Sequence, residues 1–155
     1  MDDGGPRTPQ ERIAAECASG GGGRAALIAG CVALLDGRPD DVDDRLIALL
    51  GGNAAGHVLD GGEGGRSGYW PRVWAARGLL HAWDDRTAGA DAVTAAIIGA
   101  LGDRAWRVRE MAAKLVAAHR VGEALDTLIA LRDDPVPRVR AAADRAVVQL
   151  TASQA

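Results

Sequence analysis

Phenylalanine is absent from the 155 residues, aromatic residues make up only 3%, and the chain holds two cysteines and a single lysine, Lys114. A core without Phe must be built from Ala, Leu, Val and Ile, which suits close helix packing better than a sandwich of aromatic and β-branched strands. No run approaches the roughly 18 uninterrupted apolar residues that a membrane span needs, so no membrane association is expected. Cys17 and Cys31 form no CxxC pair and have no His or Cys companion at metal-ligand spacing. No metal site is expected, and two reduced thiols are expected over a disulfide. The acidic start Met1-Asp2-Asp3-Gly4-Gly5 has neither a positive segment nor an apolar run, the two parts of a secretory signal. The expected location is therefore cytoplasmic.

Hydrophobic residues reach 48% and charged residues 25%, the proportions of a globular chain. At 16.0 kDa the length fits one domain. Net charge is −3, which argues against a protein whose main task is gripping phosphate backbones. The balance is uneven: 6 Arg face 11 acidic residues up to Gly68, and 12 basic residues face 10 acidic ones after it. With every other basic residue an arginine, the lone lysine reads as the codon bias of a G- and C-rich genome and carries no functional weight.

The pattern of breaks and apolar positions is helical throughout. Thr8-Pro9-Gln10-Glu11 combines an N-cap, a proline at the first helical position and a capping-box glutamate, predicting a helix over 9–18. Further helices are predicted over 24–35 and 40–50, then over 69–84, 91–101, 104–119, 122–132 and 136–150. Residues 51–68 hold eight of the 21 glycines and read as a long loop, with one helical turn near 54–59. It is either a lid or a plain insertion. No segment alternates as a strand would. The organisation expected is a disordered N-terminus over 1–8, one domain over 9–150 interrupted by the insertion at 51–68, and a tail over 151–155.

The strongest signal is internal repetition. Asp103, Arg107, Val108, Arg109 and Ala112 recur 31 residues later as Asp134, Arg138, Val139, Arg140 and Ala143. A weaker copy, Trp70-Pro71-Arg72-Val73-Trp74-Ala75-Ala76, lies 35 residues before the first. An Asp followed by Val-Arg and then small apolar residues at helical spacing resembles the HEAT-like repeat of phycobiliprotein-lyase-related proteins, a resemblance that implies a bacterial source. The resemblance covers residues 69–150, with 24–50 as a degenerate helical pair. It implies an all-α fold, a short right-handed α-solenoid of antiparallel helix pairs with the second helix of each pair on the concave side. It also implies that Asp103, Arg109, Asp134 and Arg140 form a structural ladder between repeats. In the weaker copy Gly68 replaces the Asp and Trp74 the Arg, so the ladder should stop there.

At about 100° per residue the weaker copy keeps a core stripe of Tyr69, Val73, Ala76, Leu80 and Trp83. Its second stripe has become Trp70, Arg77 and His81 flanked by Trp74, where the later copies place small apolar residues. This departure makes Trp70, Trp74, Arg77 and His81 the first candidate binding site, either for an aromatic or anionic ligand or as an interface anchor. The alternative is that the four pack against the helix at 40–50 and the glycine-rich segment. Trp106, Arg107, Glu110 and Lys114 are secondary candidates. Gly21-Gly22-Gly23-Arg24-Ala25-Ala26 fits a dinucleotide fingerprint in spacing but follows a helix, not a strand. No Walker motif and no HExxH pair with His57, His81 or His119 is present.

Nothing supplies a nucleophile or a matched acid and base, so the chain reads as non-catalytic and without cofactors. The leading expectation is a protein–protein interaction module, a scaffold or adaptor using its concave helical face. A second is nucleic-acid binding. HEAT-like folds include alkylpurine DNA glycosylases, and Trp106 and Glu110, one turn apart and near Arg104, Arg107 and Arg120, look like the tryptophan and acid of that group. A third is an accessory subunit handling a small molecule or prosthetic group, as the lyase relatives imply.

Overall fold

A computed structural model of the chain describes residues 7–84 and 89–152. Much of the expected N-terminal extension and of the tail lies outside these residues. The chain is all-α: the described residues form nine α-helices joined by 3-10 turns and loops, with no strand. They are α1 (Pro9–Ala18), α2 (Gly23–Leu35), α3 (Asp44–Gly51), α4 (Ala55–Leu59), α5 (Tyr69–Ala82), α6 (Ala90–Ala100), α7 (Trp106–His119), α8 (Leu125–Leu131) and α9 (Pro137–Ala152). The chain divides after Trp83 into two compact units.

In the first unit the Thr8 hydroxyl accepts the Glu11 N–H while the Thr8 N–H donates to the Glu11 carboxylate, closing the capping box. The third helix starts four residues later than the pattern predicts. Pro39–Asp41 forms a separate 3-10 turn, Val42 is extended, and the Asp43 carboxylate caps α3 by accepting the Leu46 N–H at 2.9 Å. The glycine-rich stretch is more ordered than an open loop. It holds the 3-10 turn Gly52–Ala54, then α4, then a run of tight turns over Gly62–Ser67.

Helix α5 is the hub of this unit, packing on α1, α2 and α3. Its buried positions are Pro71, Trp74, Ala75, Ala76, Gly78, Leu79 and Ala82, whereas Tyr69, Val73 and Leu80 stay half-exposed. Of the predicted core stripe Ala76 and Trp83 are buried, but the buried side is rotated away from Tyr69, Val73 and Leu80. The cause is contact on several sides: Gly78 lies under Leu50 and Cys31, and the Trp74 ring lies flat against Gly51. In α2 the same crowding buries six residues, including Leu27, Cys31 and Leu34.

In the second unit α6 packs on α7, α7 on α9 and α8 on α9. Val108, Ala112 and Leu115 of α7 and Val139, Ala143 and Ala146 of α9 are all fully buried, so positions related by the 31-residue offset play the same packing role. Ile97, Leu101 and Leu128 complete this core.

A Cβ added at Gly51 would stand 2.5 Å from the Trp74 ring. Gly51→Ala should therefore destabilise the fold by about 1–3 kcal/mol through overpacking, measured by urea unfolding. An unchanged midpoint would mean that Trp74 does not seat there.

Candidate functional site

The four residues of the first candidate stripe do not form one surface. Trp74 is only 4% exposed, most of its surface taken up by packing. The Arg77 guanidinium donates from Nη2 to the Leu50 carbonyl at 2.9 Å, the same carbonyl that Arg12 reaches at 3.3 Å while Arg12 Nε holds the Leu49 carbonyl at 2.8 Å. Two arginines thus close the C-terminus of α3, where the helix dipole is negative and carbonyls lack intrahelical partners. Burial lowers the Arg77 pKa, and the neighbouring Arg12 charge lowers it further. Its Nε is buried without a hydrogen-bond partner, a cost the double cap offsets. His81 is exposed, its pKa held below the ordinary imidazole value first by partial burial and then by Arg77.

Trp70 stays half-exposed and stacks on Trp74, with centroids 6.2 Å apart and planes inclined by 24°. Both indoles wall a cavity of about 210 Å³ completed by Ala54, His57, Val58 and Glu63. Arg77 is not among its lining residues.

Where the ladder pattern is broken, a different arginine orders the helix start. Arg72 donates to the carbonyls of Gly68 and Ser67 at 3.0 and 3.3 Å. Arg66 ties the preceding turns to α3 through Asp44 and the carbonyls of Pro39 and Val42.

In the second unit the repeated residues make repeated bonds. The Asp103 carboxylate accepts the Ala105 N–H at 2.8 Å, and that of Asp134 accepts the Val136 N–H at 2.9 Å. Arg109 Nη1 holds the Asp103 carbonyl at 2.8 Å, and Arg140 Nη1 the Asp134 carbonyl at 2.7 Å. Between the copies, Arg109 grips the Asp134 carboxylate with two bonds, Nε at 2.8 Å and Nη2 at 3.1 Å. Burial pushes the Asp134 carboxyl up, but the Arg109 bonds, the Val136 N–H and the Arg109 and Arg140 charges outweigh it, and the net pKa is lowered.

The secondary candidates are assembled on one face. Glu110, 8% exposed, takes the Arg138 Nε at 3.0 Å and the Lys114 Nζ at 3.4 Å. Two guanidinium groups approach the Trp106 ring, Arg107 at 4.4 Å and Arg138 at 5.5 Å from its centroid. The same face continues into a groove of about 420 Å³ between α7 and α9, in which Lys114, Arg120, Arg145 and Gln149 surround Ala117, Ala118 and Ala142. Among the described residues, Arg120 and Arg145 have no acidic partner. Arg120 also ends α7 in a left-handed conformation, φ 52° and ψ 52°, where glycine is usual.

Arg138 and Arg145 are residues of this candidate face that sequence reasoning did not group with Trp106, whereas Arg120 was already named beside it. The signal for Arg138 was present, since it is the 31-residue partner of Arg107. A second depression of about 380 Å³, between α2 and the start of α3, carries Arg45 paired with Glu16 and Arg38 with Asp41, so its charges are already satisfied. Cys17 and Cys31 are both free thiols, and burial pushes Cys31 up to about 12. No cluster of three or more His, Cys, Asp or Glu able to hold a metal ion occurs among the described residues. No family model matches the chain, and neither a curated protein nor a solved structure matches it.

Arg109→Ala would leave Asp134 buried with a single backbone donor and should cost about 2–4 kcal/mol, read from denaturant midpoints. Because the folded pKa of Asp134 is depressed, its stabilisation is complete above the unfolded value near 3.8 and is lost as pH falls through the folded value. The parent should thus lose stability below about pH 4 more steeply than Asp134→Asn, measured by melting at stepped pH.

Proposed function

We propose that this chain is a non-catalytic protein-interaction module of HEAT-like helical repeats, binding its partner on the face formed by the second helices of the last two pairs, α7 and α9. One observation carries the reading. A half-exposed tryptophan has two arginines within cation–π range of its ring, one of which also pairs the buried Glu110, beside a groove whose arginines lack acidic partners among the described residues. Trp and Arg supply most of the binding energy at interface centres, and side chains already fixed by neighbours lose little entropy on docking. The solenoid arrangement and the ladder role of Asp103, Arg109, Asp134 and Arg140 belong to the same proposal, supported by bonds that repeat at the 31-residue offset. No helix among the described residues is long and apolar enough to cross a membrane. A cytoplasmic setting is proposed with it, supported by the two free thiols.

A second reading, nucleic-acid binding, draws on the same arginines and on Trp106 beside Glu110. It is weakened by Glu110 itself, which already neutralises Arg138 and Lys114 where a phosphate would sit.

The test replaces Trp106 and Arg138 together by Ala. Melting should fall by no more than a few degrees, while a stoichiometric protein partner captured on the parent should be lost, a change of at least about 2 kcal/mol at a hot spot. Saturable, salt-dependent binding of duplex DNA by the parent, abolished in the same variant, would replace this reading with the second one.

A further inference from the structure

The cavity walled by Trp70 and Trp74 carries chemistry that the α7 and α9 face does not use. We propose that it is a binding site for a methylated ammonium cation, either a free quaternary ammonium compound or a methylated lysine side chain. Its lining is two indoles, the His57 imidazole, two aliphatic residues and one carboxylate, with no arginine or lysine. Arginines do lie nearby in sequence, but they are occupied elsewhere: Arg66 on Asp44, Pro39 and Val42, and Arg77 on Leu50.

The Glu63 carboxylate has no hydrogen bond or ion pair among the described residues. Its backbone is left-handed, φ 51° and ψ 39°, followed by Gly64 and Gly65, which also have positive φ. A glutamate at a position that favours glycine costs of order 1 kcal/mol, and such strain collects at ligand sites. Close approach of backbone to ring builds the walls: a Cβ at Gly62 would stand 2.2 Å from the His57 ring, and one at Gly51 would strike Trp74.

The volume of about 210 Å³ corresponds to about seven waters at ~30 Å³ each, enough for a trimethylammonium head. Aromatic faces attract a cation without giving it hydrogen bonds. A primary ammonium would arrive with three N–H donors for which the lining offers only the Glu63 carboxylate and one imidazole nitrogen of His57, whereas a quaternary one brings no donor to satisfy. The selectivity is therefore for charge combined with methyl groups.

The full chain is titrated by calorimetry with tetramethylammonium, a trimethyllysine peptide, the unmethylated peptide, and the peptide with a neutral tert-butyl isostere. Saturable binding of a methylated cation is expected, about tenfold tighter than the unmethylated peptide and the isostere. Tighter binding of the trimethyllysine peptide than of tetramethylammonium assigns a protein side chain as the source, and the reverse order assigns a small molecule; either sustains the site. Trp70→Ala should abolish binding and Glu63→Gln should weaken it severalfold. Glu63→Gly should melt a few degrees higher than the parent, because the left-handed position is relieved, and still lose affinity. Equal affinity for the isostere, unchanged binding in Glu63→Gln, or no saturation by about 10 mM of either cation would overturn the proposal.

Discussion

The guanidinium of Arg109 does three things at once in the second unit: it ends the turn before α7 by holding the Asp103 carbonyl, grips the Asp134 carboxylate, and so fixes where α9 begins. The position of α9 against α7 decides which side chains meet. Arg138 reaches Glu110 and the Trp106 ring because its helix starts at Pro137, directly after the loop Arg109 anchors. A bidentate pair between groups this buried is costly to desolvate, and it holds because nearly every remaining donor and acceptor is also used.

The first unit solves its equivalent problem differently. With Gly68 in place of the Asp and Trp74 in place of the Arg, the turn before α5 is held by Arg72, and the end of α3 by Arg12 and Arg77. Trp74 stands at the repeat position of Arg109 and Arg140, and Gly51 lets its ring lie against the backbone. An aromatic and arginine-rich stripe that looks like a binding surface in one dimension is for the most part an internal clamp.

Departures from local preference mark what is left for function. Among the described residues only Glu63 and Arg120 are non-glycine residues with left-handed backbones. One lines the indole cavity and the other the groove between α7 and α9. Each places a charge, without an opposite partner among the described residues, where glycine would cost the fold less. The two cavities have opposite character, a carboxylate among aromatic side chains in one and arginines around an alanine floor in the other.

Helix content and most helix positions were legible in the residue pattern because capping boxes, glycine stops and 3.6-residue periodicity act over a few neighbours. The capping box at Thr8 followed directly, as did the equivalence of Val108 with Val139 and of Ala112 with Ala143, all four buried. The start of α3 did not, because Asp43 and Asp40 are equally good caps locally and only the path of the chain around Arg66 separates them. Likewise the repeat announced that Arg107 and Arg138 are equivalent, but not that α9 would bring Arg138 over Trp106. Whether Trp74 and Arg77 faced water depended on α1, α2 and α3 all closing on α5, and on a carbonyl at Leu50 that two arginines share. Periodicity assigns a residue to a side of its own helix; which side is covered depends on neighbours distant in sequence, through excluded volume and the need to satisfy buried polar groups.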